Sequence, residues 1–213
     1  MSKSKFIFNI FIYSLGIFIT GLGVNLIIRS SFGAGPWDAV AENLSQLTNV
    51  ELAFAGGFVN LLILAFVILY NKKIKFLIGL IPIIGIFFSI HFWDIIIFDT
   101  YYPESVIMKL LFILSGVFSI SMGLAAIIVS TFPAMVYDEL TIALMKILRI
   151  SSFFKTRIMI ELFAVVLASI LGYFAGIGFG VVGLGTLIIS FTIGPLISFQ
   201  MKWMSLLLGQ RRV

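Results

Sequence analysis

Residues 16–40 read GIFITGLGVNLIIRSSFGAGPWDAV, and residues 116–140 read GVFSISMGLAAIIVSTFPAMVYDEL. At an offset of 100 residues, and without a gap, nine of these 25 positions are identical. The matched pairs are Gly16/Gly116, Phe18/Phe118, Gly23/Gly123, Ile27/Ile127, Ile28/Ile128, Ser30/Ser130, Phe32/Phe132, Ala34/Ala134 and Asp38/Asp138. A shared apolar bias explains a few matches of isoleucine or phenylalanine, but not an aspartate in matched surroundings. The sequence therefore contains an internal repeat.

The composition places this repeat in a lipid bilayer, which is therefore a predicted partner of the chain. Of the 213 residues, 61% are hydrophobic and 11% are charged, whereas a soluble domain is about 45–50% apolar and about 25% charged. Such a chain cannot cover a water-exposed surface with polar side chains. This composition excludes a soluble enzyme and a disordered chain, and the lack of cysteine excludes a disulfide scaffold.

Six segments are long and apolar enough to span a hydrocarbon core, which needs about 20 residues each. They cover roughly residues 6–28, 53–70, 76–98, 110–129, 158–177 and 181–201. The first follows two lysines, as the apolar region of a signal peptide does. It is longer than such a region and lacks a clear small-residue cleavage site, so we interpret it as a retained helix.

The six segments divide equally between the two copies of the repeat. Residues 1–105 form the first three-helix repeat and residues 106–213 the second, within a single membrane domain. Because each copy has an odd number of spans, the two copies insert in opposite orientations. The sequence therefore predicts an all-α membrane protein with six transmembrane helices in a 3+3 inverted repeat, an architecture common among secondary transporters.

A short amphipathic helix is predicted after the first span of each half. Its apolar faces are formed by Trp37, Val40, Leu44 and Leu47, and by Tyr137, Leu140, Leu144 and Ile147. Helix breaks precede it at Gly33, Gly35, Pro36 and Pro133. Asp38 and Asp138 then fall near the start of each helix.

Two interpretations of these aspartates remain open. In the first, both short helices are re-entrant, and their starts converge from opposite sides on a central site where Asp38 and Asp138 face a substrate or coupling ion. In the second, the helices lie flat at the interface, and each aspartate only caps free N–H groups and complements the helix dipole.

Five other polar residues are candidates for a substrate or ion site. His91 and Asp94 share one face near the outer end of the third span, where they are either functional or bonded to each other. Asn25 and Asn60 either contribute to a site or bond to a neighbouring helix. Arg29 is a candidate basic partner for the aspartates.

Two features have structural interpretations. Glu161 lies four residues after Arg157, the spacing of a local ion pair. The glycine-rich stretch 172–185 lacks the strand and the lysine of nucleotide-binding loops, so it predicts close helix packing or a tight turn.

The distribution of basic residues predicts the orientation. With the N-terminus inside, 12 of the 14 basic residues are cytoplasmic, and only Arg29 and Lys109 are outside. The inner residues are Lys3, Lys5, Lys72, Lys73, Lys75, Lys146, Arg149, Lys155, Arg157, Lys202, Arg211 and Arg212. Both termini are therefore predicted to be cytoplasmic. This asymmetry also accounts for the net charge of +5 without a nucleic-acid partner.

The chain resembles the YczE/YitT-type family of bacterial multi-pass membrane proteins. The resemblance rests on Gly21-Leu-Gly23-Val24 to Arg29, Gly33-Ala-Gly35-Pro36-Trp37-Asp38, Gly183-Leu-Gly185-Thr186 and Gly194-Pro195-Leu196. It implies a permease-like protein of the bacterial cytoplasmic (inner) membrane with five or six spans. It carries over no catalytic residues.

The leading functional hypothesis is a transporter or permease for a small solute or ion. The alternative is a non-transporting component, either a substrate-binding subunit or a helper whose glycine faces bind another membrane protein. No enzyme motif is present, so no enzymatic activity or cofactor is expected. A single histidine and no cysteine predict no metal site, and a homo-oligomer is compatible with the sequence.

Overall fold

The computed structural model describes residues 3–133 and 135–207. Ala134 of the repeat, and Arg211 and Arg212 of the predicted cytoplasmic C-terminus, lie outside the described residues. Over the described ranges the chain is helical and contains no β-strand.

Eight α-helices follow one another in these described ranges. They are α1 (Lys3–Ser30), α2 (Pro36–Thr48), α3 (Leu52–Asn71), α4 (Leu80–His91), α5 (Val106–Val129), α6 (Val136–Leu148), α7 (Phe153–Phe174) and α8 (Leu184–Leu207). A 3₁₀ segment, Ile74–Gly79, leads into α4, and a π-helical segment, Phe92–Phe98, extends it.

Six of these helical segments are long and apolar enough to cross a membrane. Their bounds are Lys5–Ser30, Leu52–Asn71, Ile74–Phe98, Val106–Val129, Lys155–Phe174 and Leu184–Leu206. The predicted all-helical chain with six spans is thus confirmed. By helix length and composition, the protein is a multi-pass integral membrane protein.

The two remaining helices, α2 and α6, have 13 residues each and occupy the positions predicted for the short amphipathic helices. The breaks before them begin with the same local conformation. The Ser30 and Ser130 hydroxyls donate to the carbonyls of Ile27 and Ile127, each at 2.6 Å. Ser31 and Thr131 follow in the left-handed region, with φ of 61° and 65°.

Helices α1 and α5 cross in antiparallel directions at four of the repeated glycines. A Cβ atom on Gly16 would lie 2.7 Å from the carbonyl oxygen of Gly123, and one on Gly123 would lie 2.6 Å from that of Gly16. The other pair is reciprocal, at 2.8 Å from Gly23 to Gly116 and 3.0 Å from Gly116 to Gly23. Only residues without side chains allow two backbones to approach this closely.

Helices α2 and α6 begin side by side, although the helices before them end far apart. From the crossing near Thr20, α1 and α5 each run about 15 Å in opposite directions, at about 1.5 Å per residue. Yet the rings of Trp37 and Tyr137, at the starts of α2 and α6, have centroids 5.1 Å apart. The chain therefore turns back from both ends of the bundle, and α2 and α6 begin near its middle.

Candidate functional site

A cavity of about 210 Å³ lies where α2 and α6 begin. Most of its wall is aliphatic and comes from α1, α3, α4, α5 and α8. The charged and aromatic part of its wall consists of Trp37, Asp38, Tyr137, Asp138, Arg157 and Glu161. The structure thus brings both repeated aspartates to one cavity.

In the second half, the aspartate is part of an ion-pair network. The Nη1 of Arg157 lies 3.0 Å from an Asp138 carboxylate oxygen, and its Nε lies 2.8 Å from a Glu161 carboxylate oxygen. The predicted pair between Arg157 and Glu161 is therefore present, but it also extends into the cavity. Sequence reasoning missed this role because Arg157 and Asp138 are brought together only by the packing of α6 on α7.

In the first half, Asp38 has no such partner. Among the described residues its carboxylate makes no ion pair and accepts no hydrogen bond, so it does not cap the N–H groups of α2. Burial, reinforced by the negative charge of Glu161, raises the pKa of the Asp38 carboxyl from its ordinary range to about 7. A buried acid without a donor readily takes up a proton or a cation.

Arg29 is not the partner of the aspartates, contrary to the prediction. It pairs with the Asp94 carboxylate at 2.5 Å and also donates to the carbonyls of Tyr101 and Asp99, at 2.8 and 2.9 Å. Its guanidinium carbon lies 4.8 Å from the ring centroid of Tyr102. Because Arg29 is at the end of α1, it reaches the loop after the third span rather than the middle of the bundle.

His91 and Asp94 do not bond to each other and do not line the cavity. His91 Nδ1 lies 2.9 Å from a carboxylate oxygen of Glu51, whereas Asp94 pairs with Arg29. The π-helical segment begins at Phe92, between the two residues. Its wider turn breaks the i,i+3 alignment on which the prediction rested.

The two asparagines of the spans differ in their hydrogen-bond partners. Asn25 donates to the carbonyl of Ile90 on α4 at 3.2 Å, as predicted for a bond to a neighbouring helix. Asn60 donates within its own helix to Gly56 at 2.9 Å and lines the cavity.

The helix breaks also have defined contacts. Gly33 has a φ of 127° and packs so closely on Thr186 that a Cβ atom would lie 2.7 Å from the Thr186 nitrogen. Gly35 precedes α2, and Pro36 is its first residue. In the second half, the Pro133 carbonyl accepts a hydrogen bond from Tyr13 at 2.9 Å.

The glycine-rich stretch forms the predicted tight turn. Gly176, Gly178 and Gly180 all have positive φ, between 62° and 74°. The side chain of Asn43, which is fully buried in α2, donates to the carbonyls of Ala168 and Phe179, at 2.8 and 3.1 Å. Sequence reasoning did not identify this anchor, because Asn43 is one of several polar residues of α2 and the sequence does not show which of them is buried.

No group of three or more His, Asp or Glu side chains in residues 3–133 and 135–207 is arranged to hold a metal ion. The cavity instead offers carboxylates, one guanidinium, two aromatic rings and a large aliphatic surface. Such a lining can hold a small solute that carries a charge or a proton.

Two bacterial proteins resemble this chain over most of its length. A Bacillus subtilis (strain 168) protein named "Uncharacterized protein YyaS" is 27% identical over 176 residues, which are 83% of this chain and 84% of that protein. An "Uncharacterized protein" of Haemophilus influenzae is 26% identical over 191 residues, 90% of this chain and 81% of that protein. No solved structure matches the chain significantly. A profile described as a family of unknown function, DUF6198, matches residues 7–202, and the chain belongs to that family.

Proposed function

We propose that this protein is a transporter, or permease, that carries a small solute through the central cavity. The observation that carries the proposal is the contact of 5.1 Å between the Trp37 and Tyr137 rings. This contact supports an arrangement in which α2 and α6 enter as half-helices from opposite ends of the bundle and meet at one site. Broken helices that meet at a central site are typical of secondary transporters, because one site must face each side in turn.

We infer that the two halves form the 3+3 inverted repeat and that α2 and α6 are re-entrant. Reciprocal contacts support this inference: Gly16 packs on Gly123 as Gly116 packs on Gly23. A rotation of about 180° that exchanges the halves reproduces such pairs, whereas a translation does not. Irregular backbone in a membrane persists where protein or water satisfies it, as in the two breaks beside the cavity.

The orientation belongs to the same proposal. We place both termini in the cytoplasm and the protein in the bacterial cytoplasmic (inner) membrane, from the distribution of basic residues. The comparisons do not confirm the resemblance to YczE/YitT-type proteins, and the family to which the chain belongs has no known function, so neither supports a permease-like role. A reporter active only in the periplasm, fused after residue 213, should be silent, and the same reporter in the loop 99–105 should be active. The reverse pattern would refute the orientation.

The alternative is a non-transporting membrane component, which needs a surface for its partner. The glycine faces suggested for that purpose are occupied by the contact between α1 and α5. No enzymatic role or cofactor is proposed, because the cavity has no nucleophile paired with a base.

The absence of cysteine gives a direct test of transport that needs no known substrate. Ser190 lines the cavity and donates to the Thr186 carbonyl at 2.7 Å. Ser115 donates to the Leu111 carbonyl at 2.6 Å but lies on the exposed outer surface of α5. Ser190→Cys and Ser115→Cys are therefore matched variants.

Each variant is treated with a membrane-impermeant cationic methanethiosulfonate in right-side-out and in inside-out vesicles. A transporter exposes its site alternately, so Ser190→Cys should react from both sides, and Ser115→Cys from neither. Reaction of Ser190→Cys from one side only would refute transport and favour a substrate-binding component.

A further inference from the structure

The charges around the cavity do not balance. Asp38, Asp138 and Glu161 contribute three carboxylates, and Arg157 is the one cationic side chain of the described lining. The starts of α2 and α6 each add a partial charge of about +0.5. The sum is close to one excess negative charge. Arg157 pairs with both Asp138 and Glu161, so Asp38 is the carboxylate of the described lining that has no cationic partner.

The wall beside Asp38 is aromatic and aliphatic rather than polar. The rings of Trp37 and Tyr137 both line the cavity and are inclined to each other by 32°. The guanidinium carbon of Arg157 lies 5.9 Å from the centroid of the Tyr137 ring, so the Trp37 ring is the aromatic group of this pair without a cation. Aromatic faces attract cations, and weakly hydrated organic cations more readily than a small metal ion that must keep its water. A residual charge beside such rings therefore selects for an organic cation.

A second polar group beside this charge is unsatisfied. The indole Nε1 of Trp37 is buried and has no hydrogen-bond partner among the described residues. A buried donor without an acceptor is unfavourable, so an occupied site is expected to supply one. The unpartnered carboxylate of Asp38 and this N–H belong to neighbouring residues of the same helical turn.

We infer that the central cavity binds a monovalent organic cation with a small apolar body, such as a substituted ammonium, between Asp38 and the ring of Trp37. This inference rests on the proposed transport function and names its substrate class. The ion pairs of Arg157 fix the other wall, so one carboxylate remains for the solute. A hydroxyl or ether oxygen on the solute would accept from Trp37 Nε1.

The test is titration calorimetry on purified protein in detergent with choline, tetraethylammonium and 3,3-dimethylbutanol. The last probe has the shape of choline, with carbon in place of the charged nitrogen. Asp38→Asn removes the proposed countercharge. Glu139→Gln is the matched control, because Glu139 is also in the first turn of a half-helix but does not line the cavity.

The affinity of the wild-type protein for choline or tetraethylammonium should exceed that for the uncharged alcohol by at least tenfold. Asp38→Asn should lose at least tenfold in cation affinity, and Glu139→Gln should retain it. Equal affinity for choline and the alcohol, or binding of neither cation, would overturn the inference. If Asp38→Asn does not fold, the comparison of probes on the wild-type protein decides alone.

The transport proposal and the cation-site proposal can be refuted independently of each other. Cation selectivity with one-sided reaction of Ser190→Cys would support the cation site and refute transport. Two-sided reaction without cation selectivity would keep transport and overturn the cation site.

Discussion

The two short helices, α2 and α6, follow similar helix ends, but their aspartates have different surroundings. Asp138 is 3.0 Å from the guanidinium of Arg157, whereas Asp38 faces the same cavity without a partner. The helix before each of them ends in the same way, because Ser30 and Ser130 make the same hydrogen bond. The backbone then differs, since Gly33 has a φ of 127° and proline stands at the matching position 133. The two halves have thus kept the same helix end while their charges have diverged.

The arginines explain this divergence. Arg29 has valine at the matching position of the second half, Val129, and it holds the loop after the third span through Asp94. Arg157 has glycine at the matching position of the first half, Gly57, and it is used in the cavity. Neither of these two arginines therefore has a counterpart in the other half; Arg29 has a structural role, and Arg157 lies at the proposed site.

The largest effect is expected from the structural arginine. Arg29 is 3% exposed, and Arg29→Ala leaves Asp94 and three carbonyl acceptors without their donor. Breaking a buried pair from one side costs about 3–5 kcal/mol. We expect a loss of about 3 kcal/mol or more in the free energy of unfolding in detergent. Lys109→Ala, at the other predicted outer basic residue, should change it by less than about 0.5 kcal/mol. Equal losses in the two variants would contradict a structural role for Arg29.

The symmetry of the crossing can be tested with two matched glycines. Gly16→Ala and Gly116→Ala each place a Cβ atom 2.7 Å or less from a backbone or side-chain atom of the facing helix. Overpacking of this kind costs about 1–3 kcal/mol, and thermal unfolding should show similar losses for both. Gly194→Ala is the control, because its Cβ atom would meet nothing within 4 Å. A loss in one variant only would argue against reciprocal packing.

The features that depend only on neighbouring residues in the sequence were predicted correctly. The six spans follow from runs of apolar residues, and the starts of α2 and α6 follow from breaks such as Gly35-Pro36. The partners of the charged residues could not be predicted in this way. Arg157 meets Asp138 through helix packing, and a π-helical turn that interrupts the 3.6-residue period separates His91 from Asp94.

The free carboxylate should make cation binding depend on pH. Burial raises the pKa of Asp38 to about 7, so the carboxyl is mostly ionised at pH 8 and mostly protonated at pH 6. For a site that needs the ionised form, choline affinity should fall roughly tenfold from pH 8 to pH 6. Calorimetry at the two pH values checks this. Asp38→Asn should show weak binding at both, and a pH-independent affinity in the wild-type protein would argue against Asp38 as the countercharge.

The smallest effect, and the sharpest comparison, is the stability change in Asp38→Asn and Asp138→Asn. Because the folded state holds the Asp38 proton more tightly than the unfolded state, the stability lost to this carboxyl accumulates as the pH rises from about 4, its ordinary pKa, to about 7, and is complete above that. At pH 8, Asp38→Asn should therefore stabilise the protein, by about 1 kcal/mol because water in the cavity screens the charge. At pH 4 it should have almost no effect. Asp138→Asn instead removes one partner of a half-exposed ion pair and should destabilise the protein by about 0.5–1 kcal/mol.

Since asparagine begins a helix nearly as well as aspartate, loss of capping would give small and equal effects in both variants. Opposite signs at pH 8, measured by thermal unfolding, would mean that one aspartate carries an unbalanced charge and the other a paired one. Equal signs would remove the asymmetry between the two halves and, with it, the reason to regard Asp38 as the residue that meets the solute.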